Sequence, residues 1–195
     1  MKPLLGVDVD STIWDTGAWV CSAVLEFTGD SLDMERITTW THVLDTYGEK
    51  TTTTIFDRVF DPERVRDREP YPGAPEVLRA LQERHGIEIH FVTHNDPEIM
   101  APHLEPWLRT HFGPKVGLTV TTNGKLDILD ALGAFGLIDD RPDTIERVAD
   151  ASLWAAAMKQ PWNRNLLATR SNIHVFSHWQ EVPNLLPPEY RMGRC

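Results

Sequence analysis

The chain has 195 residues, 41% of them apolar and 25% charged, which is typical of one globular domain or of one domain carrying a small insertion. The formal net charge of -10 argues against stable binding to nucleic acid, because that affinity comes from lysine and arginine displacing counterions. Cys21 and Cys195 form no CxxC pair, so neither a disulfide framework nor a zinc site is expected and a reducing compartment is the default.

The first predicted element is a short, mostly apolar run from Leu4 to Val9, which contains Asp8 near its end and is followed by Asp10. A short apolar run without polar alternation is typical of a strand that is buried on both faces. The run is far too short for a signal peptide or a membrane span. No membrane association is therefore expected, and the cytoplasm is the simplest location.

A helix is predicted next, from Asp15 to about Thr28, because its apolar residues recur at helical spacing before Gly29. The stretch from about Asp30 to Glu69 is polar, with scattered apolar residues, and is interpreted as short helices. Its run Thr51–Thr54 is predicted to start one of these helices, since threonine caps helices well. The stretch is expected to form a small insertion.

The rest of the chain is predicted to alternate between helices and strands. The predicted helices are at about 72–85, 96–112, 125–132 and 141–150, with another near Trp179. The predicted strands are at 87–92, 116–120, 134–138, 153–158 and 173–176. This alternation predicts an α/β fold with a Rossmann-like parallel sheet. The expected domains are a core of residues 1–14 and 70–195 and a small helical cap of residues 15–69, inserted after the first strand.

Polar side chains stand at the ends of the central strands, where parallel sheets bind their ligands. The candidates are Asp8, Asp10, Thr12, Thr93, His94, Asn95, Lys125, Asp139, Asp140 and Asp143. Converging carboxylates repel one another unless a cation lies among them, and oxygen donors favour Mg²⁺ over Zn²⁺. A hard cation beside a lysine neutralises phosphoryl oxygens, so that a carboxylate can approach phosphorus.

Four motifs in chain order resemble those of the haloacid-dehalogenase-like superfamily. They are the DxDxT pattern Asp8–Thr12, Thr93 at a strand end, Lys125, and Ile138-Asp139-Asp140. Together they cover the chain from about residue 4 to residue 160. The resemblance implies a phosphatase with a Rossmann-like core.

The resemblance also implies a role for each catalytic residue. Asp8 is similar to the nucleophile that forms an aspartyl-phosphate. Asp10 is similar to the general acid that protonates the leaving group and later helps to activate water. Thr93 would donate its hydroxyl to a phosphoryl oxygen, and Lys125 would bridge Asp8 and the phosphate.

A magnesium site is implied by the same resemblance. Its expected residues are Asp8, Asp10 through its backbone carbonyl, Asp139 and Asp140. One residue of the last pair would bind Mg²⁺ directly and the other through water. Asp140 is favoured as the direct ligand.

Several segments resemble the 5'(3')-deoxyribonucleotidase branch of this superfamily. They are Pro70–Ala74, His111–Pro114, Ile138–Asp143 and the loop Gln160–Arg164. The chain departs from the mammalian members at His94-Asn95, where those proteins carry a serine beside the threonine. His94 and Asn95 are therefore candidate phosphate-binding residues together with Thr93 and Lys125. The implied substrate is a small phosphorylated molecule, and a (deoxy)nucleoside 5'-monophosphate is the first candidate.

Other interpretations stay open at this stage. The enzyme could act on other small phosphorylated metabolites or on nucleic-acid ends, or the protein could bind phosphate ligands without catalysis. Trp162 and Asn163 either reach the site or form a structural turn. A homodimer is compatible with a tryptophan-rich cap. Four aromatic residues either stack on a nucleobase or form the core of the cap, namely Trp14, Trp40, Tyr47 and Phe56.

Overall fold

The centre of the fold is one six-stranded sheet. The structure is a computed structural model that describes residues 2–39, 41–166 and 171–191. The strands are β1 Leu4–Val7, β2 Glu88–His94, β3 Gly117–Thr121, β4 Ala134–Asp139, β5 Trp154–Met158 and β6 Ile173–Phe176. Their order is β3-β2-β1-β4-β5-β6, and every neighbouring pair is parallel. The predicted α/β, Rossmann-like fold is confirmed.

Helices cover both faces of this sheet. They are α1 Thr16–Thr28, α2 His42–Val59, α3 Ala74–Arg84, α4 Pro97–Phe112, α5 Lys125–Leu132, α6 Pro142–Asp150, α7 Val182–Leu185 and α8 Pro188–Arg191. One apolar cluster packs α3, α4 and α7 against the sheet, and a second packs α5 and α6. No helix in these described ranges is long and apolar enough to cross a membrane.

Strands β1 and β2 differ most from their predicted bounds, for reasons visible in their hydrogen bonds, whereas β3, β4 and β5 differ by no more than one residue at either end. β1 ends at Val7 because the carbonyl of Val9 accepts the backbone N–H of Ile13 at 3.0 Å, which turns the chain. β2 continues through Thr93 and His94, since both residues pair in register with β3. Thr93 and His94 therefore lie at the end of a strand and do not follow it.

Helices α1 and α2 share an apolar cluster of their own. It contains Val20, Ala23, Val24, Leu32, Ile37, Val43, Ile55 and Val59. Gly48, with φ 75° and ψ 167°, breaks α2 into two helical pieces, which agrees with the predicted short helices. The cluster supports a helical cap, and the predicted boundaries at residues 15 and 69 stay a prediction.

The prediction that the threonine run starts a helix is wrong. Residues 51–54 lie inside α2, after the break at Gly48. The hydroxyls of Thr53 and Thr54 donate to the carbonyls of Glu49 and Lys50, four residues earlier, at 3.0 and 3.2 Å. These threonines therefore bond backward within the helix, a pattern that competes with capping.

Candidate active site

The loop after β1 carries the first two acids of the site. Asp8 is buried, and its backbone N–H donates to the carbonyl of Ile138 at 2.8 Å, which joins it to the end of β4. Ser11 has φ 55°, in the left-handed region that an L-residue seldom adopts. Its carbonyl accepts the side-chain N–H of Gln160 at 2.7 Å, which holds this strained turn in place.

Lys125 joins two of the acids at the first residue of α5. Its buried Nζ donates to Asp8 Oδ1 at 2.5 Å and to Asp139 Oδ2 at 2.7 Å. The hydroxyl of Thr12 reaches the other oxygen of Asp8, Oδ2, at 3.3 Å. Asp8 therefore has a fixed orientation, with an ammonium on one oxygen and a hydroxyl near the other.

Asp140 completes a buried acidic group at the end of β4. One oxygen from each of Asp8, Asp139 and Asp140 can be chosen so that all three lie within 4.8 Å of one another. Trp162 Nε1 donates to Asp140 Oδ2 at 2.9 Å, and Asn163 Nδ2 donates to the Asp140 carbonyl at 2.7 Å. The loop that contains Trp162 and Asn163 thus reaches the site.

The burial of these acids changes their proton affinity. Burial raises the pKa of Asp8 to about 7, since the opposing effect of Lys125 is offset by Asp139 and Asp10. Burial and the two neighbouring carboxylates raise the pKa of Asp140 well above its ordinary value. Burial alone would lower the pKa of Lys125, but Asp139 and Asp8 outweigh it and raise that pKa, so the ammonium persists at neutral pH.

The acidic group fits a divalent cation by charge. If all three carboxylates are ionised, they and the one ammonium leave an excess of two negative charges in a buried space. Such an excess is costly without a cation, and all the donors are oxygen atoms, as Mg²⁺ prefers. We therefore expect metal binding to stabilise the folded protein.

A pH dependence of stability follows for the chelated protein. The folded-state pKa of Asp8, about 7, exceeds the ordinary value of 3.8, so the folded state holds a proton that the unfolded chain releases between these values. The melting temperature is expected to fall as pH rises from about 4 to 7, and Mg²⁺ should reduce the fall.

Asp8→Asn supplies the control for this experiment, because it removes the titrating group while keeping the shape of the side chain. The difference in melting temperature between wild type and Asp8→Asn should vary across this pH window. A difference that stays constant from pH 4 to 7 would contradict the buried, proton-holding state of Asp8.

A cavity of about 410 Å³ opens over these acids. Its walls include Asp8, Asp10, Phe60, Thr93, His94, Asn95, Asp96, Thr122, Lys125, Asp140 and Arg141. Thr93 is buried at its base, whereas His94 and Asn95 are more exposed. The cavity therefore brings together all the sequence candidates except three. Asp139 contacts Lys125, Thr12 contacts Asp8, and Asp143 accepts hydrogen bonds from Arg141.

Asp10 has a separate set of partners. Trp14 Nε1 and Thr16 Oγ1 both donate to Asp10 Oδ1 at 2.9 Å. Arg68 places NH1 3.9 Å from the same oxygen. The side chain of Asp10 keeps 21% exposure and lines the cavity. Asp10 is therefore placed to contact a ligand in the cavity and is not part of the buried acidic group.

Comparison with known proteins agrees with this arrangement. A family model described as 5' nucleotidase, deoxy (pyrimidine), cytosolic type C protein (NT5C) matches residues 2–189. The chain belongs to this family. No curated protein matches the chain.

Solved structures place the NT5C-family chain in the fold of the haloacid-dehalogenase-like hydrolases. A subfamily IA hydrolase of this superfamily from Geobacter sulfurreducens is 18% identical with a TM-score of 0.60, covering 95% of this chain and 97% of that chain. CbbY from Rhodobacter sphaeroides, in complex with xylulose-(1,5)bisphosphate, is 14% identical with a TM-score of 0.59, over 93% and 96%. A hydrolase from Xanthomonas campestris is 13% identical with a TM-score of 0.58, over 94% and 96%. At these identities the likeness concerns the fold.

The aromatic candidates take different positions in this NT5C-family structure. Trp14 is buried against Trp107, with ring centroids 4.8 Å apart, and Tyr47 and Phe56 pack against the cap cluster. Trp40 lies outside the described residues. Phe60, which the sequence did not single out, lines the cavity. Phe60 is therefore the one Phe, Trp or Tyr side chain, among those that the structure describes, that lines this cavity.

Sequence reasoning also missed Thr16, Arg68 and Gln160. All three are buried polar residues that contact the loop after β1 or the acid it carries. Gln160 belongs to the segment Gln160–Arg164 that the sequence analysis singled out, two residues before Trp162, but its contact with Ser11 was not predicted. Thr16 follows the DxDxT pattern closely and could have been considered. Arg68 gave no local signal.

Proposed function

We propose that this protein is a magnesium-dependent phosphomonoester hydrolase that works through an aspartyl-phosphate, a 5'-nucleotidase of (deoxy)nucleoside monophosphates. The observation that carries the proposal is the contact of Lys125 Nζ with both Asp8 and Asp139 at the base of a cavity. A carboxylate paired with a buried ammonium can approach phosphorus because the ammonium also neutralises the phosphoryl group.

The reaction proceeds in two steps, formation of the aspartyl-phosphate and its hydrolysis. An oxygen of Asp8 attacks phosphorus, and the ester oxygen leaves with its electron pair while Asp10 gives it a proton. Water then attacks the phosphorus of the aspartyl-phosphate, Asp10 takes the proton, and inorganic phosphate departs as Asp8 is regenerated. Thr93 donates its hydroxyl to a phosphoryl oxygen, and Lys125 remains paired with the phosphate. His94 and Asn95 are further candidates for phosphate contacts.

Asp8, Asp139, Asp140 and the backbone carbonyl of Asp10 would hold Mg²⁺. When bound, the cation neutralises negative charge on the phosphoryl oxygens. Two things support this position for the cation: the buried group of Asp8, Asp139 and Asp140, and the magnesium site that the family resemblance implies. The proposal therefore predicts that activity depends on a divalent metal.

Asp140 is the better candidate for direct metal binding. Both oxygens of Asp139 already accept hydrogen bonds, Oδ2 from Lys125 and Oδ1 from the backbone N–H of Arg141 at 2.8 Å. Asp140 accepts at Oδ2 from Trp162, and no described residue donates to its Oδ1. Asp139 is then the residue that orients Lys125.

A nucleoside monophosphate is the favoured substrate for two reasons. The chain belongs to a family described by 5'-nucleotidase activity, and Phe60 supplies an aromatic wall beside the phosphate site. The acidic net charge disfavours nucleic-acid ends. A cytoplasmic location and a homodimer complete the proposal and await tests of localisation and mass in solution.

The test is phosphate release from a panel of nucleoside and sugar monophosphates, with Mg²⁺ and with a chelator. Deoxynucleoside 5'-monophosphates are expected to give the highest kcat/KM, chelation to abolish activity and Mg²⁺ to restore it. Turnover of sugar phosphates alone would remove the nucleotidase assignment while keeping the phosphatase. Absence of turnover on the whole panel would favour a non-catalytic phosphate-binding protein.

A further inference from the structure

Arg68 is a buried cation that the mechanism above does not use. Its guanidinium lies between two indole rings, 4.3 Å from the centroid of Trp14 and 5.1 Å from that of Trp19. Its side chain is only 2% exposed. Arg68 therefore lies between the loop after β1, which carries Trp14, and the cap helix α1, which carries Trp19.

The hydrogen bonds of Arg68 leave part of the guanidinium without a partner. NH2 donates to the carbonyl of Val59, at the carboxyl end of α2, where a cation is favourable. Among the described residues, Nε and NH1 have no hydrogen-bond partner. A buried donor without a partner is costly, so its retention calls for a reason beyond packing.

The nearest carboxylate to NH1 is that of Asp10. NH1 lies 3.9 Å from Oδ1, which also accepts from Trp14 Nε1 and Thr16 Oγ1. Two hydrogen bonds and one guanidinium at ion-pair distance thus converge on one oxygen of a carboxylate that lines the cavity. If Oδ1 is held from the interior, Oδ2 is the oxygen left to exchange a proton with a bound substrate.

We propose that Arg68 is a positioning residue for Asp10: it anchors Oδ1 together with Trp14 and Thr16, so that Oδ2 meets the leaving group. This inference rests on the proposed function, in which Asp10 is the general acid. Because NH2 also holds the end of α2 next to Phe60, Arg68 links the orientation of the acid to the wall that contacts the substrate.

Leaving-group dependence separates this role from simple packing. A nitrophenolate departs without a proton, whereas an alkoxide needs one, so a misplaced general acid slows alkyl esters selectively. Arg68→Met keeps a long apolar side chain between the indoles and removes the guanidinium. Because Asp10 also serves the later water step, which both esters share, the comparison uses kcat/KM, which reports only the steps up to departure of the leaving group. The variant is expected to lower kcat/KM for a deoxynucleoside 5'-monophosphate, an alkyl phosphate, on the order of 30-fold and for 4-nitrophenyl phosphate less than about threefold.

Three further variants keep the test decisive. Thr16→Val removes a second donor to Oδ1 at nearly unchanged volume and should show the same selectivity even if Arg68→Met folds poorly. Arg66→Met, at an exposed arginine of the same segment, is the matched control and should behave as wild type. Arg68→Lys should recover part of the lost kcat/KM on the alkyl ester.

The outcomes distinguish this inference from the proposed function. Equal losses of kcat/KM on both esters in Arg68→Met and Thr16→Val would overturn the positioning role. Arg68 would then serve only to hold the cap against the core. A wild-type protein that hydrolyses neither ester would remove the proposed function, and this inference with it. Selective loss on the alkyl ester in both variants would establish the role.

Discussion

Asp8→Asn is expected to abolish phosphate release, with a loss of at least about 10⁴-fold, while the fold is kept. An amide oxygen is a poor nucleophile toward phosphorus. Of the two carboxylates that accept from Lys125 Nζ, Asp8 lines the cavity and Asp139 does not. The substitution keeps the size of the side chain and removes one of three mutually repelling acids. Phosphate release at saturating substrate, with circular dichroism and a melting curve, measures both effects.

Asp127→Asn is the matched control for this experiment. Asp127 is an exposed aspartate in the first turn of α5, two residues after Lys125, so its substitution makes the same charge change on the same helix. It should retain close to full activity. Substantial activity in Asp8→Asn, measured on protein free of wild-type carry-over, would remove the nucleophile assignment.

The fold could be predicted largely from local patterns. The bounds of α4 and α5 are confirmed because each helix has clear end signals, Asp96-Pro97 before α4 and Gly133 after α5. Errors arose where pairing across the sheet decides the outcome. Thr93 and His94 carry no strand signal of their own, and only their pairing with β3 extends β2 through them.

The acidic part of the site was predictable for a topological reason. Asp8 follows β1, whereas Asp139 ends β4 and Asp140 follows it, and these two strands are neighbours in the sheet. Parallel neighbours bring their carboxyl ends together, so a strand-end rule places these acids side by side without knowledge of any side-chain contact. Lys125, which follows β3 at the start of α5, was a candidate by the same rule, and the resemblance added its role of bridging Asp8 and the phosphate.

The contacts of Asp10 could not be predicted in the same way. Arg68 is 58 positions away in the chain, in an irregular segment after a short 3₁₀ helix, and its partners depend on how the cap folds back. A buried arginine is unusual, so composition argues for an exposed side chain at that position. The indoles of Trp14 and Trp19, the carbonyl of Val59 and the carboxylate of Asp10 together make its burial tolerable, and the local sequence indicates none of these contacts.

Lys125→Met is expected to reduce both activity and stability, and only the stability should respond to Mg²⁺. Removing one partner of a buried ion pair costs roughly 3–5 kcal/mol, because the remaining charges are left uncompensated. For a chain of this size the melting temperature of the chelated protein should fall on the order of 10 °C. The fall should increase with rising pH, as Asp8 and Asp140 lose their protons.

Mg²⁺ should recover part of this stability, because a cation among Asp8, Asp139 and Asp140 supplies the missing positive charge. It should not recover activity, since the contact from Nζ to the nucleophile is gone. Lys115→Met, at an exposed lysine just before β3, is the control and should change neither quantity appreciably. A chelated Lys125→Met protein as stable as wild type would mean that the acids are not ionised together in the folded state. The charge argument for a divalent cation would then fail, whatever the catalytic result.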